Sequence, residues 1–199
     1  MRRREIMQAK GDSNDSIGVL FVCLGNICRS PAAEGTFAHV VAERSLVDRF
    51  RIDSCGTSAY HIGEAANSTS RATARRHGIE LKSRARQFTS QDFDRFDYIF
   101  AMDGANFSEI ASLARGADDL QRVFKFRAFD PDFAGVLAVG ADPAASPDAG
   151  RGSGRAGGKQ PPDVPDPYYG GPDGFEEVQQ IMLRTSSHLL DWLLARHPL

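Results

Sequence analysis

Ile17-Gly18-Val19-Leu20-Phe21-Val22-Cys23-Leu24-Gly25-Asn26-Ile27-Cys28-Arg29-Ser30-Pro31 is the stretch on which the reading of the whole chain turns. Residues 17–24 make a short apolar run of strand-forming side chains, the pattern of a β-strand buried on both faces. A serine followed by a proline then marks a helix start, with Pro31 at the first helical position. Phe37, Val40 and Val41 continue an apolar stripe along that helix. The segment therefore reads as strand, tight loop, helix.

Working outward, residues 50–56 and 98–102 predict a second and a third strand, and 123–126 a weaker fourth. Helices are predicted over 68–77, where His77-Gly78 offers a left-handed cap, and over 104–113. Apolar residues at Ile181, Leu183, Leu189, Leu190, Leu193 and Leu194 predict one long amphipathic helix over 175–196. Strands alternating with helices imply βαβ crossovers. The predicted fold is α/β, a single domain with a parallel sheet covered by helices on both faces.

Residues 1–16 are polar and aperiodic and predict a disordered tail ahead of a domain spanning 17–199. A second break falls at 134–163, where Gly, Ala, Pro and Ser dominate and no core-forming face exists. A disordered insert is expected there.

The formal net charge of -2 gives no global field for nucleic acid or an anionic membrane, and no apolar run approaches bilayer length. The basic start, Met1-Arg2-Arg3-Arg4-Glu5, leads into polar residues, so no secretory signal is expected. Three cysteines, an odd and low number, suit reduced thiols and a cytoplasmic location. Cys23 and Cys28 lack a second cysteine pair or histidine cluster to complete a zinc shell, so no metal or other cofactor is expected.

Chemistry concentrates in the loop of residues 24–28 and its flanks. A loop curling from a strand end into a helix N-terminus points successive backbone N–H groups into one concavity, a site for a tetrahedral dianion. Leu24, Gly25, Asn26, Ile27 and Cys28 would form its wall, Gly25 leaving room for the curl. Arg29 can grip two phosphate oxygens through its planar fork. The positive surroundings favour a thiolate at Cys23, with the Ser30 hydroxyl placed to donate to it. A thiolate beneath a bound phosphate is set for in-line attack on phosphorus. No Gly-Lys-Ser/Thr follows, which excludes a Walker-type nucleotide loop.

Expelling the esterified oxygen requires a positioned acid. Asp166, stiffened by Pro165 and Pro167, is the candidate, and Tyr168 and Tyr169 beside it could wall a pocket for a phenolic ring.

Together, Cys23-Leu-Gly-Asn-Ile-Cys-Arg-Ser-Pro31 and Asp166-Pro-Tyr-Tyr-Gly170 resemble the low-molecular-weight protein-tyrosine phosphatase family, as do residues 96–103 and His77-Gly78-Ile79. The resemblance covers 18 to about 194, apart from 134–163. It implies a four-stranded parallel twisted sheet of flavodoxin-like, doubly wound topology, a phosphocysteine intermediate on Cys23, and tyrosine-phosphorylated proteins as substrates for a monomer or weak dimer. It further implies that Asp166 protonates the leaving group and then activates water. Asn26 and Ser54 would brace the loop, Tyr60 would stand at the mouth, and Cys28 could form a reversible disulfide with Cys23. Cys55 is expected in the core, and His77 to end a helix. Many members carry a histidine where Ser83 stands here, supporting the loop. Arsenate reductases share the fold but relay electrons through a C-terminal cysteine pair, and this chain has no cysteine after Cys55. Protein-arginine phosphatases carry threonine where Ile27 stands, and an apolar side chain there disfavours a guanidinium leaving group.

Overall fold

The computed structural model describes residues 16–133, 161–169 and 171–198. The strands are β1 (Ile17–Cys23), β2 (Phe50–Gly56), β3 (Tyr98–Ala101) and β4 (Val123–Lys125). The helices are α1 (Arg29–Glu43), α2 (Ser68–Arg76), α3 (Asp92–Arg95), α4 (Gly104–Ser112), α5 (Ala117–Leu120) and α6 (Gly171–Arg196).

The four strands form one sheet in the order β2-β1-β3-β4, every neighbouring pair parallel. All seven residues of β1 are buried, which is why its sequence is continuously apolar rather than alternating. Its side chains still alternate in direction. Val19 and Phe21 point into a core shared with Phe37 of α1 and Ile181, Leu189 and Leu193 of α6. Leu20 and Val22 face Phe93, Phe96 and Ile110 on the other side of the sheet. The Phe21 ring meets Phe37, Phe100 and Phe126 at centroid distances of 5.6, 5.7 and 5.6 Å. Each such buried side chain stabilises the fold by about 1.5–3 kcal/mol. Helices on both faces and the four-stranded parallel sheet agree with the expectation from sequence.

Strand order reverses at β1, because β2 lies on one side of it and β3 on the other. Open α/β sheets bind ligands in the crevice at such a switch point, beyond the carboxyl ends of the strands. The register Cys23↔Gly56 and Val22↔Ala101 brings three strand ends to that crevice. The loop of residues 24–28 leaves from there.

Several boundaries differ from expectation. Helix α1 starts at Arg29, so Pro31 occupies the third helical position instead of the first. The first four N–H groups of a helix have no intrahelical partner, so proline is tolerated there too. The ladder opens with Ala32 N–H donating to the Cys28 carbonyl at 3.2 Å. Helix α6 begins at Gly171, four residues before the apolar periodicity. The short helices α3 and α5 were too brief to leave a periodic signal.

The tail predicted over 1–16 lies, but for Ser16, outside the described residues, as do residues 134–160 of the predicted insert. Residues 161–163, assigned to that insert, instead pack onto the domain. Lys125 Nζ donates to the Pro161 carbonyl at 2.7 Å and pairs with Asp163 at 2.6 Å. Asp163 Oδ1 also accepts from Gly104 N–H at 3.0 Å. Isolated charges carry no periodicity, so these ties were invisible in the sequence.

Candidate active site

Strand β1 ends at Cys23, and the chain turns back through residues 24–28 before α1 begins. The turn depends on Asn26, whose backbone is left-handed at φ 53°, a conformation asparagine tolerates better than most residues. Its buried side chain locks the turn. Nδ2 donates to Ser30 Oγ at 2.9 Å and to Ser54 Oγ at 2.8 Å, while Oδ1 accepts from Arg86 N–H at 3.0 Å. From outside, Thr57 N–H and Ser58 N–H bind the carbonyls of Cys23 and Leu24, both at 2.9 Å. Gly56 makes this closeness possible, since a Cβ there would lie 2.6 Å from the Leu24 carbonyl oxygen. At Gly25 a Cβ would instead press on His61, at 3.0 Å from its ring. That glycine therefore accommodates a neighbouring imidazole, rather than the curl itself.

The Cys23 sulfur is almost fully buried at the floor of this loop. It accepts from Asn26 N–H at 3.3 Å and lies 3.0 Å from Ser30 Oγ. The single proton of that hydroxyl has two acceptors within reach, the sulfur and the Cys55 carbonyl at 3.1 Å.

Arg29, the first residue of α1, is only 5% exposed. Its Nη1 donates to Asp103 Oδ2 at 2.6 Å and to the Val164 carbonyl at 3.3 Å, and its Nη2 meets Asp166 Oδ2 at 3.3 Å. Burial opposes its charge, but Cys23 and Asp103 more than offset that, with Asp166 adding to them, and hold the guanidinium more firmly protonated than usual. Asp103 is itself fixed as the N-cap of α4, its Oδ1 accepting from Asn106 N–H at 2.7 Å. The segment carrying Asp166 is tied to the residue just past β3, where Val164 N–H donates to the Met102 carbonyl at 2.8 Å. Asp166 is 42% exposed at the mouth, and its Oδ1 accepts from Tyr168 N–H at 3.0 Å.

The turn thus holds a buried sulfur on a backbone amide, with an anchored arginine whose guanidinium meets an exposed carboxylate 137 residues further on. A family model described as low molecular weight phosphotyrosine protein phosphatase matches residues 18–149. The chain belongs to this family. It is similar to the low molecular weight protein-tyrosine-phosphatase of Streptomyces coelicolor, 37% identical over 86% of this chain and 90% of that one. It is also similar to the low molecular weight phosphotyrosine protein phosphatase of Schizosaccharomyces pombe, 38% identical over 88% of this chain and 96% of that one. Among solved structures, a protein tyrosine phosphatase from Entamoeba histolytica superimposes with TM-score 0.73 at 34% identity, covering 92% of this chain and 99% of that chain. YfkJ from Bacillus subtilis gives 0.70 at 33%, covering 96% and 99%.

As a low-molecular-weight phosphatase, the chain is a hydrolase whose predicted site residues the fold brings largely together. Leu24, Gly25, Asn26, Ile27 and Cys28 form the turn, with Ser54 beneath it. Tyr60 is 81% exposed, two residues beyond Ser58, which binds the loop. Tyr168 is exposed beside Asp166. The side chain of Tyr169 lies outside the described residues. The remaining cysteines are buried thiols. Burial pushes Cys28 up to about 12, against a hydrogen bond with Ser70 that acts the other way. Burial also raises Cys55, which is fully enclosed beneath the loop. Among the described residues no cluster of three His, Cys, Asp or Glu side chains could hold a metal ion, and no helix is long and apolar enough to cross a membrane.

Sequence reasoning missed three supporting residues. Asp103 anchors Arg29, as above. Glu34 accepts from Ser54 Oγ at 2.5 Å. Arg86 offers its backbone to Asn26 and binds Asp53 and Asp92 through its guanidinium. Met102-Asp103-Gly104, an N-cap candidate at a strand end on the switch-point side, was the one available signal.

Proposed function

We propose that this enzyme hydrolyses phosphotyrosine in proteins, and small aryl phosphates, through a phosphocysteine on Cys23. The observation that carries the proposal is the Cys23 sulfur, held by Asn26 N–H and Ser30 Oγ beside the anchored guanidinium of Arg29. The substrate's phosphoryl group sits in the loop, its oxygens on backbone N–H groups and on the Arg29 edge not committed to Asp103. In the first step the Cys23 thiolate attacks phosphorus. An S–P bond forms, the P–O bond to the aryl group breaks, and protonated Asp166 gives its proton to the departing oxygen. In the second, Asp166 takes a proton from a water that attacks phosphorus. The S–P bond breaks, inorganic phosphate leaves, and thiolate and acid are restored.

Tyr60 and Tyr168 are both exposed, and their rings would suit a flat phenolic group entering the loop. Ile27 in the loop wall offers nothing to a guanidinium leaving group, which favours phosphotyrosine over phosphoarginine. The test is a panel of phosphotyrosine, phosphoserine and phosphoarginine peptides assayed with chelator present. Release of phosphate from the phosphotyrosine peptide alone is expected. Equal or faster release from phosphoarginine would overturn the assignment.

A further inference from the structure

Behind the phosphate loop, an open cavity of about 290 Å³ lies between α1 and residues 78–83. Pro31, Ala38, Ile79 and Leu81 supply its apolar walls, and Glu34 and Ser83 its inner polar end. The volume is near the lower end for small-molecule sites, and the lining mixes apolar side chains with charged and polar ones.

The charged groups around the cavity set its preference. Glu34 and Glu80 bring two carboxylates, while Lys82 and His39 stand at the rim. Arg75 pairs with Glu80 at 3.0 Å, and Glu43 pairs with His39 at 3.4 Å. Glu34 has no cation within salt-bridge distance among the described residues. It accepts from the Ser54 hydroxyl, with Asp53 repelling and Arg86 attracting it. A half-buried carboxylate whose hydrogen-bond partner is a hydroxyl is well completed by a positively charged N–H donor.

Glu34 is also one end of a continuous hydrogen-bonded row that reaches the sulfur. Ser54 Oγ donates to Glu34 at 2.5 Å, and Asn26 Nδ2 donates to Ser54 Oγ at 2.8 Å. The same Nδ2 meets Ser30 Oγ at 2.9 Å, and Ser30 Oγ lies 3.0 Å from Cys23 Sγ. An ionised Glu34 fixes the direction of the Ser54 hydroxyl, and so the acceptor that Asn26 sees.

We propose that this cavity is a second binding site, for a compact organic cation with N–H donors on a flat apolar body, such as an aryl amidinium. The ligand sets its donors on Glu34 and its ring against Ile79, Leu81 and Ala38, and its charge is sensed at Asn26. Binding stands without the phosphatase reading, whereas any effect on turnover rests on it.

The experiment is a titration of the full chain with benzamidine, followed by amide NMR in the absence of substrate, with neutral benzamide as the control. Saturable shifts are expected at residues 34–39 and 78–83 and at the Asn26 side-chain amide, and none with benzamide. Glu34→Gln should weaken binding at least about tenfold, the scale of one lost charge-assisted hydrogen bond. Ala38→Phe, which fills the cavity while leaving the Glu34 carboxylate in place, should abolish it. Four results would overturn the proposal: no saturation, equal binding of benzamide, undiminished binding in either variant, or shifts confined to Tyr60 and Tyr168 at the mouth. Shifts at the cavity with a silent Asn26 would overturn the coupling. The benzamide comparison uses the wild-type chain, so it holds even if a variant fails to fold. An enzyme that binds benzamidine but hydrolyses no phosphotyrosine would defeat the proposed activity and leave this site standing.

Discussion

Arg29 and Asp103 form a buried ion pair, Nη1 to Oδ2 at 2.6 Å, with side chains 6% and 18% exposed. One residue opens α1 and the other caps α4, so the pair ties together the two helices that flank the crevice. Removing one member of a buried pair strands the other charge, at a cost of about 3–5 kcal/mol. Asp103→Ala should therefore destabilise the protein by an amount near the lower of those figures, given the residual exposure of Asp103. It should also lower kcat/KM for an aryl phosphate by roughly 10²-fold, the penalty of a misplacement of about 1 Å. Urea unfolding and steady-state kinetics check both. An unchanged kcat/KM would mean that Arg29 is oriented without Asp103.

Asp166 is the exposed end of the Arg29 ion-pair system, and the role proposed for it depends on the leaving group. Asp166→Ala should slow an alkyl-like, poorly departing phenol by roughly 10²–10⁴-fold and an activated nitrophenol much less. A set of aryl phosphates of graded phenol acidity reads this as a steeper dependence of kcat on leaving-group pKa. Parallel dependences in wild type and variant would remove Asp166 as the acid.

The sheet and the nucleophile's loop were legible because their signals are local. An eight-residue apolar run, a glycine-containing turn and a Ser-Pro helix start all fall within residues 17–31. What surrounds the loop was not legible, because its partners are distant in sequence. Asp103 is 74 residues from Arg29, and Arg86 is 60 residues from Asn26. No periodicity links such pairs, and only the strand register brings them together. The bracing roles of Asn26 and Ser54 came from the family resemblance alone, and the structure supplies their physical reason in the left-handed turn that Asn26 holds closed. The start of α6 was missed because Gly171, Asp173 and Gly174 are poor helix formers, and contacts with residues 167–169 compensate for them.

Glu34 provides a pH signature. Burial raises its carboxyl above the ordinary 4.5, with Asp53 adding to the effect and Ser54 opposing it. The folded state thus binds this proton more tightly than the unfolded chain does. The stabilisation is fully present below pH 4.5 and is lost as pH rises through the folded value. Glu34→Gln removes the titration while keeping an acceptor for Ser54. The stability of the variant relative to wild type should therefore be higher at pH 7 than at pH 4. Denaturant midpoints at the two pH values measure it, and a difference of the opposite sign would contradict the account.

Asp130 carries the reverse sign. It is fully buried, and its oxygens accept from Arg184 at 2.9 and 3.0 Å and from Arg127 at 3.1 Å. Burial pushes its carboxyl up, but the Arg184 hydrogen bond, an amide donor from Asp132 and the two guanidinium charges outweigh this and hold it below the ordinary 3.8. Its contribution is present above that value and lost as pH falls through the folded one. Asp130→Asn should cost about 3 kcal/mol at neutral pH, because Arg127 loses its counter-ion and Arg184 keeps only the exposed Asp132. Thermal unfolding should show the gap between variant and wild type narrowing below pH 3.8. A gap independent of pH would mean that the ion pairs are not its source.

The sulfur of Cys23 as nucleophile is tested most directly by rapid quenching of wild-type enzyme during turnover of an aryl phosphate, followed by mass analysis of its peptides. One phosphoryl group on the peptide bearing Cys23, formed as fast as the phenol burst and absent from Cys23→Ser, is the predicted result. Phosphate on any other residue, or full turnover by Cys23→Ser, would contradict it.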